Sequence, residues 1–304
     1  MRCLRPFLRR VSFYRKPQFD LEFERCKLEK QSIDKFKNDE GQTLLHLAVL
    51  ENRLDKIAAL TRCFMSKELL NLWGMTPIDL AYFLGRDAFL PFLQPKNEAF
   101  PITIYRNRDR QTHEIPLAEF EKKLRMKYIE HLEFERPSDL RWALDKCRRH
   151  VQKQKIRKMN RWTLALHGKD ILNPRYDHVY IGYIDRSIGY GVFANRDLPA
   201  LTYVGEYTGV VKRRFAKAIR CNDYVFGYMV GPKNTPFIID AEKRGNFTRF
   251  INHSYAPNMN SRWVICKGIT RIIVFTNAFV PKGTQLTYDY GKYYWRSRMS
   301  PLLL

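Results

Sequence analysis

With 304 residues and a hydrophobic fraction of 45%, the chain can hold two domains with separate cores and is too apolar for wholesale disorder. No apolar run is long enough to cross a bilayer, and the basic, aromatic start Met1–Arg15 lacks the apolar stretch of a secretory signal, so a soluble protein with no membrane partner is expected. The formal charge of +23 favours polyanionic partners, nucleic acid among them.

In chain order, the first patterned segment is Gly41-Gln42-Thr43-Leu44-Leu45-His46-Leu47-Ala48, which returns as Gly74-Met75-Thr76-Pro77-Ile78-Asp79-Leu80-Ala81. Thr43 and Thr76 stand about 33 residues apart, and both octets are similar to the T-P-L-H-x-A motif of ankyrin repeats. Apolar residues fall at helical spacing in each copy: Leu45, Ala48, Val49, Leu54, Ile57, Ala58 and Leu60, then Ile78, Ala81, Phe83, Ala88, Phe89, Phe92 and Leu93. Asp79 stands where histidine is usual, so the second copy is degenerate. Two copies are fewer than a stack needs, and residues 18–38 are expected to cap the array. The resemblance implies a domain over residues 1–94 that docks a protein partner; a short helical prop for the following domain is the structural alternative.

Residues 95–176 read as a mostly helical, basic linker. Phe100–Tyr105 has the composition of a strand, and Leu117–Leu132 reads as an amphipathic helix. Ser138, after Arg136-Pro137, is the candidate cap of a second helix, broken by Asn173-Pro174. The run Lys146–Arg161 carries Lys146, Arg148, Arg149, Lys153, Lys155, Arg157, Lys158 and Arg161 without an acid. It is a contact for DNA or an import receptor, or a solvated helix face. Lys212-Arg213-Arg214 with Lys217 forms a second patch, at a groove mouth or on a plain surface.

The six cysteines (Cys3, Cys26, Cys63, Cys147, Cys221 and Cys266) stand singly, with no C-x-C or C-x-x-C pair. No metal site and no disulfide framework are expected; reduced thiols fit a cytosolic or nuclear setting.

From Tyr176 onward the texture changes to short β-prone runs separated by Gly and Pro: Val179–Tyr183, Gly191–Ala194, Tyr203–Tyr207, Phe237–Asp240 and Ile269–Asn277. Polar clusters interrupt apolar runs at Arg249-Phe250-Ile251-Asn252-His253-Ser254 and Leu286-Thr287-Tyr288-Asp289-Tyr290-Gly291. Such groups are costly to bury unless they are bonded or used. Upstream stand Gly189-Tyr190-Gly191 and Tyr203-Val204-Gly205-Glu206-Tyr207. Taken together and in this order, the four segments resemble the SET domain of protein lysine methyltransferases.

That resemblance covers residues 177–295, leaves 296–304 as a tail, and implies a multidomain α + β chain ending in a β-rich SET fold with a pseudoknot. It implies a protein lysine N-methyltransferase using S-adenosyl-L-methionine (SAM). Gly189, Tyr190, Gly191, Asp223, Tyr224, Arg249, Asn252, His253 and Trp295 are its implied cofactor residues. Tyr290 is the implied catalytic tyrosine, Tyr207 lines the lysine channel opposite, and Phe226 faces into it. Tyr288 occupies the phenylalanine/tyrosine switch position, which favours mono- or dimethylation.

Tyr255 stands where many members have cysteine, and Gln285 replaces the usual glutamate. No cysteine-rich module follows Gly291, so the aromatic tail Tyr293-Tyr294-Trp295 is the candidate to close the cofactor pocket. The net charge suits a histone or nucleosomal substrate that arrives on DNA. A catalytically weak adaptor acting through the repeats is the alternative. The nucleus or cytosol is the expected setting. The pairing of ankyrin-like repeats with a SET-like domain also resembles effectors that intracellular bacteria send to a host nucleus.

Overall fold

In the computed structural model, which describes residues 18–28, 36–62, 66–94, 101–106, 110–214, 222–231 and 233–295, the Thr43 side chain caps the helix Leu44–Leu50. Expectations for Met1–Arg15, Cys3, Cys63, Lys217, Cys221 and the tail 296–304 lie outside the described residues. Two compact units emerge, one of residues up to Ala81 with Ala88–Leu93, the other of Tyr82–Asp87 and the chain from Gln94 onward.

The first unit is helical: α1 (Gln18–Leu28), α2 (Leu44–Leu50), α3 (Leu54–Arg62), α4 (Pro77–Phe83) and α5 (Leu90–Leu93). Thr43 Oγ1 accepts from His46 N while Thr43 N donates to His46 Nδ1 at 3.1 Å, a capping box in which imidazole takes the usual glutamate's place. His46 Nε2 donates to the Met75 carbonyl at 2.9 Å, tying the first octet to the second. Thr76 and Asp79 repeat the box, with Thr76 N donating to Asp79 Oδ2 at 3.0 Å and Asp79 N donating to Thr76 Oγ1 at 3.2 Å. Leu44, Leu45, Leu47, Ala48 and Val49 are buried with Ile57 and Leu60. Leu54, expected on that apolar face, is 40% exposed because it begins α3, outside the buried stripe.

The second unit opens on β1 (Ile102–Arg106) and β2 (Gln111–Ile115), an antiparallel pair. Next come α6 (Leu117–Leu124), β3 (Lys127–Tyr128), β4 (Glu133–Phe134), α7 (Pro137–Val151) and α8 (Gln154–Leu172). The stretch read as a linker therefore supplies strands to the C-terminal sheets. β1 pairs with β5 (Val179–Asp185), β4 with β8 (Val210–Arg213) and β3 with β11 (Arg244–Gly245), all parallel. These pairings satisfy edge N–H and C=O groups that would otherwise be left open.

The helix expected over Leu117–Leu132 stops at Leu124, because Arg125 turns left-handed (φ 51) and returns its N–H to the Glu121 carbonyl. α7 begins at Pro137 with Arg136 as its cap residue, so Ser138 lies inside the first turn. Proline there sacrifices an N–H that has no intrahelical partner in any case.

The remaining strands complete the unit. β5 and β6 (Gly189–Ala194) extend the first sheet in the order β2-β1-β5-β6. β9 (Val225–Val230) and β10 (Lys233–Asp240) join β4 and β8, while β7 (Tyr203–Glu206), β13 (Met259–Cys266) and β14 (Ile269–Thr276) form a third sheet. β12 (Asn252–His253) pairs in parallel with β15 (Thr287–Tyr288), and the short α9 (Lys292–Trp295) follows. The sheets share a core that includes Ile104, Phe120, Ile181, Val192, Phe250 and Leu286. No helix among the described residues is long and apolar enough to cross a membrane.

Candidate active site

The β5–β6 hairpin sets one wall. Asp185 Oδ1 accepts from Ser187 N and Ile188 N at 2.7 and 2.9 Å, and Gly189 takes a left-handed φ of 82 that side chains avoid. A Cβ on Gly191 would lie 2.7 Å from Ile184 Cδ1, 3.1 Å from Gln285 Nε2 and 3.3 Å from Asn252 Nδ2, so any side chain there would have to displace Ile184 and press on those two amides. Asn252 Nδ2 donates to the Tyr190 carbonyl at 3.1 Å, joining this hairpin to β12.

The β12–β15 pairing then aligns Asn252 with Thr287 and His253 with Tyr288. Segments far apart in sequence become neighbours through two residues of parallel strand. Tyr290 N donates to His253 Nδ1 at 3.1 Å, and the Tyr290 hydroxyl donates to the Ile251 carbonyl at 2.8 Å. The imidazole thus carries its proton on Nε2. Burial lowers its pKa, opposed by the Asp289 carboxylate, and keeps the ring neutral at pH 7.

Aromatic rings continue from there. Tyr290 lies 4.9 Å from Tyr288 by ring centroids, Tyr288 lies 6.4 Å from Phe226, and Phe226 lies 5.3 Å from Tyr207. The Tyr207, Tyr288 and Tyr290 phenols are pushed well above the ordinary tyrosine range, by burial first and then by one another. At neutral pH they are hydrogen-bonding hydroxyls and cannot serve as bases. Trp295 stacks against Tyr290 (6.1 Å, 8°) and tilts onto the His253 imidazole at 4.9 Å.

Arg249 belongs to the same region: its guanidinium covers the Tyr224 ring at 3.5 Å and donates from Nη1 to the Glu242 carbonyl. Asp223 is exposed at the start of this segment, where its charge adds to the burial that raises the Tyr290 phenol. The cofactor and channel residues named from the sequence are all among the described residues.

Two participants were legible only as departures from a pattern. Gln285 reaches the Gly191 position, and Tyr255, 64% exposed, sets its ring edge-on to His253 at 4.6 Å. The signal for Tyr255 was an aromatic residue two places beyond the histidine. Tyr294, half-buried, also meets Tyr290 at 4.7 Å. A cavity of about 300 Å³ between β1, β5 and α6 shares Tyr190 with this site and none of the other residues named for it.

Four buried nitrogens here have no acceptor in the protein: His253 Nε2, Gln285 Nε2, Arg249 Nε and Trp295 Nε1. Leaving each unmatched costs roughly 1–3 kcal/mol. All four are N–H donors, so the site suits a ligand rich in acceptors, such as a carboxylate and heteroaromatic nitrogens. SAM bears both, and the glycine cradle at Gly191 and the stacked Trp295 leave the chemistry of the donor set compatible with it. Among the described residues no group of three or more His, Cys, Asp or Glu side chains could hold a metal ion.

Known proteins match the same stretch. The SET domain family model matches residues 189–291. Over 107 residues the chain is 38% identical to histone-lysine N-methyltransferase SETD2 of Mus musculus, which covers 34% of this chain and 4% of that protein. Over 106 residues it is 38% identical to the putative histone-lysine N-methyltransferase ASHH4 of Arabidopsis thaliana, covering 34% of this chain and 30% of that one. The chain therefore spans less than a third of the length of either relative. The crystal structure of KRYPTONITE with mCHH DNA, an H3(1–15) peptide and SAH is 32% identical, covers 40% of this chain and 25% of that chain, and gives a TM-score of 0.34.

Proposed function

From the premise that residues 189–291 are a SET domain akin to those of histone-lysine methyltransferases, we propose that the protein is a SAM-dependent protein-lysine N-methyltransferase. The observation that carries this reading is the β12–β15 pairing, which joins the Asn252-His253 pair to the aromatic wall of Tyr207, Phe226, Tyr288 and Tyr290.

Gly189, Tyr190, Gly191, Asn252 and His253 would hold the cofactor beside Asp223, Tyr224 and Arg249, with Trp295 over its aromatic ring. Bound there, SAM supplies an electrophilic methyl group on a sulfonium. Tyr207 and Phe226 take the apolar stem of the substrate lysine. A free lysine has a pKa of about 10.4, and burial against these rings disfavours the ammonium, so its proton leaves to solvent. The neutral phenols cannot remove that proton but can orient the amine. Tyr290, anchored on the Ile251 carbonyl, is the proposed catalytic tyrosine. Alignment of this kind can remove ~7–11 kcal/mol of a barrier.

Labelled SAM offered with core histones, nucleosomes and free DNA-binding proteins tests the reading. Label transfer that falls on the order of 10²-fold in Tyr290→Phe is expected. No transfer together with no SAH binding by calorimetry would move the assignment to an adaptor.

Finer features follow from particular residues. The Tyr288 hydroxyl, 7% exposed for the whole residue, leaves little room for an already methylated amine and favours mono- or dimethylation. A histone or other chromatin protein is the proposed substrate, and a nuclear setting goes with it. The basic run 146–161 divides between the end of α7 and the start of α8; Arg148, Arg149, Lys153 and Arg157 are exposed there, and we assign these four a DNA contact. The paired boxes at Thr43–His46 and Thr76–Asp79 support an ankyrin-like docking region over residues 1–94, which keeps the adaptor reading as the second one.

A further inference from the structure

We infer that the outer face of α8 is a docking surface for an acidic amphipathic helix of a partner protein. α8 turns Ile156, Asn160, Thr163, His167 and Ile171 inward, one buried stripe at helical spacing. Asn160 fixes that stripe on β13: its Nδ2 donates to the Ile265 carbonyl at 2.9 Å and its Oδ1 accepts from Ile265 N at 2.7 Å. A helix held this way needs no second apolar face.

It has one nevertheless. Met159, Trp162 and Leu166 are 42%, 47% and 43% exposed and fall at i, i+3 and i+7 beside the buried stripe. Single exposed apolar residues are ordinary, but three aligned on a fixed helix make a patch. Trp162 is steadied by Arg262, whose guanidinium lies 4.8 Å from the ring centroid, so the anchor is ordered before any partner arrives. Trp, Met and Arg are also residue types enriched where proteins meet.

Charge selects the occupant. Lys158 and Lys169 are exposed on the Trp162 side of the stripe, where Arg262 adds a third cation, and Asp170 is the one acid between residues 157 and 172. A second copy of this chain would oppose these cations with its own. A phosphate backbone would match the cations and leave Met159 and Leu166 in water. A helix with an apolar stripe flanked by Glu or Asp satisfies both sets, and the three anchors span about 10 Å, suited to helix-on-helix packing.

The test uses the full chain and a fluorescent synthetic helix of about 20 residues, leucines at heptad spacing with glutamates flanking, against its scrambled isomer and a DNA duplex of similar length. Anisotropy at physiological salt should show the striped peptide binding at least ~10-fold tighter than the isomer, which is about 1.4 kcal/mol. Met159→Ser with Leu166→Ser should remove that difference while leaving SAH affinity unchanged. A blue shift of tryptophan emission on binding should be missing in Trp162→Phe. Equal binding of the two peptides, binding of neither, or an unaffected double variant would overturn the proposal. Duplex binding that needs Lys158 and Lys169 but not Met159 and Leu166 would make the face a nucleic-acid surface instead, and peptide-independent dimers lost in the double variant would make it a self-contact.

Discussion

His46 in the helical unit and His253 in the β-rich unit are both buried, and burial lowers the pKa of both. They differ in what their nitrogens do. His46 engages both, accepting from Thr43 N and donating to the Met75 carbonyl. His253 accepts from Tyr290 N and leaves its Nε2–H without a protein acceptor. A buried histidine with both ring nitrogens matched holds a fold together; one with a donor left over, among three other unmatched donors, is available to a ligand. Burial alone does not separate the two roles.

The contrast can be broken most directly by exchanging the readouts. His46→Ala removes two buried hydrogen bonds and packing volume, and should lower the stability of the helical unit by about 3 kcal/mol in urea unfolding. SAH affinity should be untouched; a matching loss of affinity would erase the distinction. His253→Ala is expected to do the reverse, weakening SAH by about tenfold in calorimetry with little change in either unfolding transition. Gly191→Ala should act in the same direction as His253→Ala, because the new methyl would meet Ile184 and the Gln285 and Asn252 amides.

Acid sharpens the same contrast. The His46 pKa is lowered from 6.5 to about 4 in the fold, so the unfolded chain binds the extra proton first. The stability it contributes is fully present above about pH 6.5 and lost as pH falls towards 4. By pH 5.5 the loss should reach about 1.4 kcal/mol, and the slope should vanish in His46→Ala. The smallest expected effect is chemical: Tyr288→Phe should leave total methylation near wild type and shift its products towards higher methylation by mass spectrometry. An unchanged product distribution would remove Tyr288 from the specificity assignment.

Much of the site was readable before any fold was known, because its chemistry is local. Asn252-His253 and Tyr288-Asp289-Tyr290 are polar groups inside apolar runs, and such groups draw attention wherever they stand. The strand expectations at Val179–Tyr183, Tyr203–Tyr207 and Ile269–Asn277 also match β5, β7 and β14 to within two residues. Residues 95–176 were harder. β3 and β4 are two residues each, too short to carry an alternating pattern, and exist because β11 and β8 offer them open edges. Arg125 ended a helix whose apolar periodicity continued, since Met126 and Tyr128 were needed in the core of the second unit.

The linear chain by itself determined the two textures, the paired octets, the basic run and the identity of the polar clusters, since spacing and side-chain chemistry are properties of neighbours in sequence. Only the tertiary structure decided which nitrogens stay unmatched, that Gln285 sits against Gly191, that Tyr255 and Trp295 flank His253, and that α8 exposes an apolar stripe beside its buried one. Those outcomes depend on partners tens of residues away, and satisfying or orphaning a buried donor is settled only when those partners arrive.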